Sequence, residues 1–138
     1  MRCNLALFTF VLALLNLGIS NTFLLAQAPS VQQVKFFEER IRPLLARHCY
    51  ECHGNKNQKS GLRVDSIDAL LKGGDSGQAI VPGKPSESLL LAAVNYEGLE
   101  MPPKGKLSTQ ELDHLATWIK SGAVWPQSNL TPTQNRTL

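Results

Sequence analysis

Cysteine is scarce in this chain. Three occur among 138 residues, and Cys3 falls in a segment that reads as a leader, so Cys49 and Cys52 remain. Two cysteines three positions apart close too small a ring to constrain the unfolded chain, which excludes a disulfide framework. Aromatic residues make up only 7%, so the core is of modest size. Charge of one sign is also lacking: 14 basic against 11 acidic residues, with no basic run interleaved with aromatics. That balance argues against a nucleic-acid partner. No unbroken apolar run reaches the roughly 18 residues of a spanning helix. Paired acids, a nucleophile with its base, and a Gly-rich phosphate loop are all missing, and Gly73-Gly74-Asp75-Ser76-Gly77 reads as turn chemistry.

What is present begins with MRCNLALFTFVLALLNLGISNTFLLAQA, residues 1–28. A basic start at Arg2, an apolar stretch and the small residues of Ala26-Gln27-Ala28 give the pattern of a secretory signal peptide. The expectation is an exported protein, periplasmic or otherwise extracytoplasmic. Residues 29–126 then form one domain, and residues 127–138, polar and without periodicity, are expected to be a mobile tail.

The domain reads as all-α with long loops. Ser30 and Gln33 form a capping box ahead of a helix through Phe36, Phe37, Ile41, Leu44 and Leu45, which Pro43 bends or divides. Ser66 caps a second helix that Gly73 ends. Ser86 is expected to cap a third, running to about Val94, whose Leu89–Val94 run is apolar on every face and calls for cover all round. Ser108 and Glu111 form a second capping box. The helix they open carries Leu112, Leu115, Ala116 and Ile119 on one face, with Gly122 beyond its end.

The chemistry is concentrated in Cys49-Tyr50-Glu51-Cys52-His53. Two thiols about one helical turn apart can meet the two thioether positions of a haem, and the adjacent histidine can reach its iron; Cys-x-x-Cys-His is the signature of haem c attachment. Zinc requires four ligands, and the remaining histidines, His48 and His114, form no second pair. A redox dithiol expects a strand–helix context that is missing here. One covalently attached haem c is therefore the favoured cofactor.

His53 fills one axial position of such a haem. The leading candidate for the other is Met101, 48 positions downstream. It is the only methionine beyond the leader, it lies in a loop, and Pro102-Pro103 stiffen the backbone behind it. A thioether suits haem iron and raises its potential. His48, beside Cys49, is poorly placed for the opposite face and reads as exposed or hydrogen-bonded. His114 reads as a solvated helix residue, and Trp118 and Trp125 as core. Lys104 and Lys106 read as solvated loop charges, and nothing selects Arg63 over Lys59 or Lys84 as a propionate partner.

The segments FFEERIRPLLARHCYECHG, KSGLRVDS, LLKGGDSGQAIVPGKPSESLLLAAV and MPPKGKLSTQELDHLATWIKSGAVWP occur in this order. Together they resemble the planctomycete-type cytochrome c domain over about residues 34–126. The resemblance implies a class I-like cytochrome c fold, with N- and C-terminal helices packed around one haem c. By position it makes Cys49 and Cys52 the attachment residues, His53 the proximal ligand and Met101 the distal ligand. In many relatives this domain opens a longer chain; here the expectation is a free-standing electron carrier or a small haem subunit, not an enzyme. Its partners are then redox donor and acceptor proteins, with peripheral association with a membrane or a larger redox complex possible. The alternatives are a haem enzyme or gas sensor with an open sixth position, and an interaction module that keeps haem only as core.

Overall fold

A computed structural model describes residues 28–126. The expected signal peptide and the expected C-terminal tail fall almost wholly outside the described residues. Within them the chain is helical and has no strands. The helices are α1 (Val31–Phe36), α2 (Arg42–His48), α3 (Tyr50–His53), α4 (Ile67–Lys72), α5 (Leu89–Asn95) and α6 (Thr109–Lys120). No helix among the described residues is long and apolar enough to cross a membrane.

The first helical stretch shows how one proline shapes a fold. Ser30 accepts from the Gln33 backbone N–H while the Gln33 side chain accepts from the Ser30 N–H, so the capping box is complete. Pro43 lacks an N–H, and in a regular helix its ring would press on the carbonyl four residues back. The chain responds by widening: Phe37–Ile41 is a π-helical segment, with the Arg42 N–H bonded to the Phe37 carbonyl five residues behind. Helix α2 then restarts with Pro43 in its first turn, where a missing N–H costs nothing.

Widening at this point aims Phe37 and Ile41 into the core, both fully buried. The far end of the chain meets them there. The Phe37 ring lies 5.9 Å from that of Trp118 on α6 and 4.5 Å from that of Trp125 beyond it. Trp118 is itself buried and donates its indole N–H to the Val124 carbonyl at 2.8 Å. Arg42 lies over both the Phe37 and Trp125 rings, at 4.8 and 5.6 Å, and forks onto Glu38. Leu45, Leu70, Ile80, Leu115 and Ile119 complete the fully buried layer.

One boundary differs from the sequence expectation. Pro85–Glu87 forms a single 3-10 turn, and α5 begins at Leu89 after Ser88, not at Ser86. Ser88 is buried and does not cap α5. Its hydroxyl donates to the Lys84 carbonyl and accepts from the Val81 N–H, both at 2.9 Å. The hydroxyl is satisfied by the preceding loop, so it folds that loop back rather than serving the helix.

Replacing Phe37 by Ala removes the ring that joins the two ends of the domain. We expect a loss of about 3–5 kcal/mol, read as a lower urea midpoint at unchanged slope. Ser108 completes the second capping box, and its backbone N–H, followed by its hydroxyl and His48, holds the Glu111 carboxyl below the ordinary 4.5. A depressed carboxylate contributes stability that is complete above the ordinary value and is lost as pH falls through the folded value. Glu111→Gln should therefore flatten the acid side of the stability profile and cost at most about 1 kcal/mol at neutral pH.

Candidate functional site

Cys49 ends α2 and leads directly into α3, a single turn in which the N–H groups of Cys52 and His53 both reach the Cys49 carbonyl, at 3.1 and 2.8 Å. Both thiols are free. Gly54 closes the turn in extended geometry, and a Cβ there would stand 2.5 Å from the Tyr50 carbonyl oxygen. The His53 carbonyl accepts from the Val64 N–H at 2.8 Å. That bond anchors the far side of the polar loop and leaves the histidine on a fixed backbone.

Cys49, Cys52 and His53 line a mostly apolar cavity of about 320 Å³, within the range of cofactor pockets. Its walls come from four separated segments. Leu62 and Val64 follow the polar loop, Ala79 follows the Gly73–Gly77 turn, and α5 supplies Leu89, Leu90, Ala93 and Val94. Leu99, Met101, Pro102 and Pro103 close it from the loop after α5. Cys49, Cys52, His53 and Met101, picked from sequence as far apart as 52 positions, all line this one cavity.

The Gly73–Gly77 stretch is the turn its composition suggests. Gly74 and Gly77 exchange backbone hydrogen bonds at 3.1 and 2.9 Å. Gly73 adopts φ +75, and a Cβ there would fall 1.8 Å from the Gly77 carbonyl oxygen, so only glycine fits. The Ala79 N–H then bonds Leu70 at the end of α4, and the Leu90 N–H bonds Ala79. These two bonds lay α5 along the cavity.

The electrostatics separate the competing readings of the cysteine pair. Cys49 faces the cavity wall, and burial, with Cys52 beside it, pushes its thiol up to about 11. Dithiol redox sites depend on the opposite shift. Among the described residues no group of three or more His, Cys, Asp or Glu side chains is placed to hold a metal ion. The His53 Nδ1 is buried and has no hydrogen-bond partner among the described residues.

The remaining sequence candidates lie off the site or at its edge. His48 touches the rim of the cavity, but its Nε2 lies 3.0 Å from a Glu111 carboxylate oxygen. His114 is half-buried, edge-on to Phe36 at 5.7 Å on one side and lining the open groove described next on the other. Arg63 forks onto Asp65 at 2.9 and 3.1 Å and does not line the cavity, whereas Lys59 does. A second groove of about 270 Å³ lies between α2 and the start of α6; it is more open, and Glu39, Arg40, Arg47 and Glu111 give it a charged lining.

Sequence reasoning missed the ties on the Met101 loop. Lys104 donates to Glu51, inside the cysteine motif, at 2.8 Å. Tyr96 donates to the Pro102 carbonyl at 2.9 Å. Neither pairing leaves a spacing or periodicity by which it could have been found.

A small all-helical domain whose apolar cavity is lined by Cys-x-x-Cys-His and a loop methionine has the architecture of a cytochrome c. The comparisons agree: residues 49–105 match the family described as Planctomycete cytochrome C, which bears out the resemblance read from the sequence. No curated protein and no solved structure matches the chain. A domain of this family is in general a haem-binding electron carrier with haem c as its cofactor.

The buried thiol sets the prediction here. With its pKa moved from 9.0 to about 11, Cys49 carries about a hundredfold less thiolate at neutral pH. Higher intrinsic nucleophilicity recovers about a factor of ten. In apoprotein, iodoacetamide should alkylate Cys49 about tenfold more slowly than the same cysteine in urea-unfolded chain, as followed by peptide mass spectrometry.

Proposed function

We propose that this protein is an exported monohaem cytochrome c that passes single electrons through a haem held by His53 and Met101. The observation that carries the reading is the meeting of Cys49, Cys52, His53 and Met101 on the wall of one apolar cavity. The residues fit the group in kind: two free thiols one helical turn apart, an imidazole next to them, a soft thioether and apolar cover. In this reading Cys49 and Cys52 would hold the haem through thioether bonds, and His53 and Met101 would ligate its iron. The haem supplies the one-electron chemistry when bound.

The chain's own part is to orient and to exclude water. Helix α5, with Leu62, Val64 and Ala79, provides the apolar face that would keep solvent from the iron, and such exclusion together with thioether ligation favours a raised potential. Redox donor and acceptor proteins would approach the rim, where Leu89 and Leu99 are 40% and 51% exposed. Export follows from the reading of residues 1–28.

The test is a set of visible spectra of the mature protein made in a host that attaches haem c. Haem should survive acid–acetone extraction, be low-spin in both redox states and leave carbon monoxide unbound in the reduced state. Met101→Ala should open the sixth position and bind carbon monoxide. Ready binding by the unaltered protein would transfer the case to a sensor or enzyme, and loss of colour on extraction would end the attachment claim.

A further inference from the structure

Tyr96 stands where a helix normally ends in glycine. It is the residue after α5, and its backbone is left-handed, φ 66 and ψ 36. For a bulky side chain this conformation costs on the order of 1–2 kcal/mol, and Gly or Asn is the usual occupant. Asn95, immediately before it, stays in the helix and bonds back to the Leu91 carbonyl at 2.9 Å. Strain of this kind persists where the surrounding structure has a use for it.

The use lies at the other end of the side chain. The half-buried Tyr96 hydroxyl donates to the Pro102 carbonyl at 2.9 Å, and the Met101 N–H donates to the Ala93 carbonyl at 3.0 Å. Two consecutive residues of the distal loop are thereby tied to the end of α5, one through a side chain and one through backbone. The phenol is itself held in place: the Lys106 ammonium lies 5.4 Å from the ring centre and donates to the Asn95 carbonyl at 2.8 Å.

We propose that Tyr96 is a positioning residue, whose hydrogen bond to Pro102 keeps the Met101 side chain turned into the cavity and resists its exchange for other ligands. The proposal rests on the reading of Met101 as the distal ligand. Removing the hydroxyl leaves the ring, its packing and the left-handed backbone in place. What is lost is one neutral hydrogen bond, equivalent to about three- to tenfold in a loop equilibrium.

The experiment is a double-mutant cycle on holoprotein with Tyr96→Phe, Met101→Ala and the pair. Imidazole affinity of the oxidised haem and the sulfur-to-iron charge-transfer band are measured alongside the melting temperature. We expect the unaltered protein to show the band, Tyr96→Phe to bind imidazole about three- to tenfold more tightly, and that gain to shrink to within about twofold once Met101 is absent. A band in the unaltered protein with no affinity change in Tyr96→Phe would overturn the proposal and leave Met101 as ligand. An equal gain with and without Met101 would overturn it too, because Tyr96 would then act on the cavity as a whole. If the band is missing and Met101→Ala binds imidazole as the unaltered protein does, the ligand reading itself fails.

Discussion

The contact of Phe37 with Trp118 and Trp125 sets the geometry on which the rest of the domain depends. It joins the first helical stretch to the last and fixes the two ends between which every loop must run. A small domain buries a limited fraction of its surface, so a single aromatic cluster is a large share of its cohesion. The π-helical widening before Pro43 belongs to the same constraint, because it turns Phe37 and Ile41 inward while α2 continues toward Cys49. The proline and the cavity motif are thus parts of one path: the residue that interrupts the helix also sets the direction in which the thiols are delivered.

The cavity is built at the level of backbone. His53 is positioned by the bonds of its own N–H to Cys49 and of its carbonyl to Val64; Met101 is positioned by its N–H to Ala93. In both residues the backbone is held before the side chain enters the cavity. The His53 Nδ1 is buried and has no hydrogen-bond partner among the described residues. Ring orientation must then come from packing and from the short helical turn. Tyr96, with its strained backbone, and the Lys104–Glu51 pair add ties on the distal side.

Much of this was legible in the sequence, for reasons that differ between elements. The two capping boxes announce themselves because donor and acceptor lie three residues apart, and both are formed. The Cys-x-x-Cys-His motif is equally local. Met101 could be singled out because it is the one methionine beyond the leader and sits before two prolines. The start of α5 was misplaced because Ser86 and Ser88 are both plausible caps, and only the fold shows that the Ser88 hydroxyl is taken up by the loop at Val81 and Lys84. For His114 a helix pattern shows the solvent-facing side but not Phe36, 78 positions earlier, that lies against the other. The ties of Tyr96 and Lys104 follow from how distant loops close, which no periodicity encodes.

These ties bear on what a site of this kind is for. A group that gains and loses an electron changes charge, and any surrounding structure that must rearrange in response slows the transfer. A site held by short backbone bonds, with apolar walls and few mobile polar groups, has little to rearrange. Here, apart from the motif itself and His48 at the rim, the polar and charged cavity residues, Lys59, Ser60, Asp75 and Ser76, come from the polar loop and the glycine turn, while α5 contributes only apolar side chains. The wall opposite the motif offers a thioether, two prolines and leucines. A wall of this composition leaves little polar structure to reorganise around a bound group that changes charge.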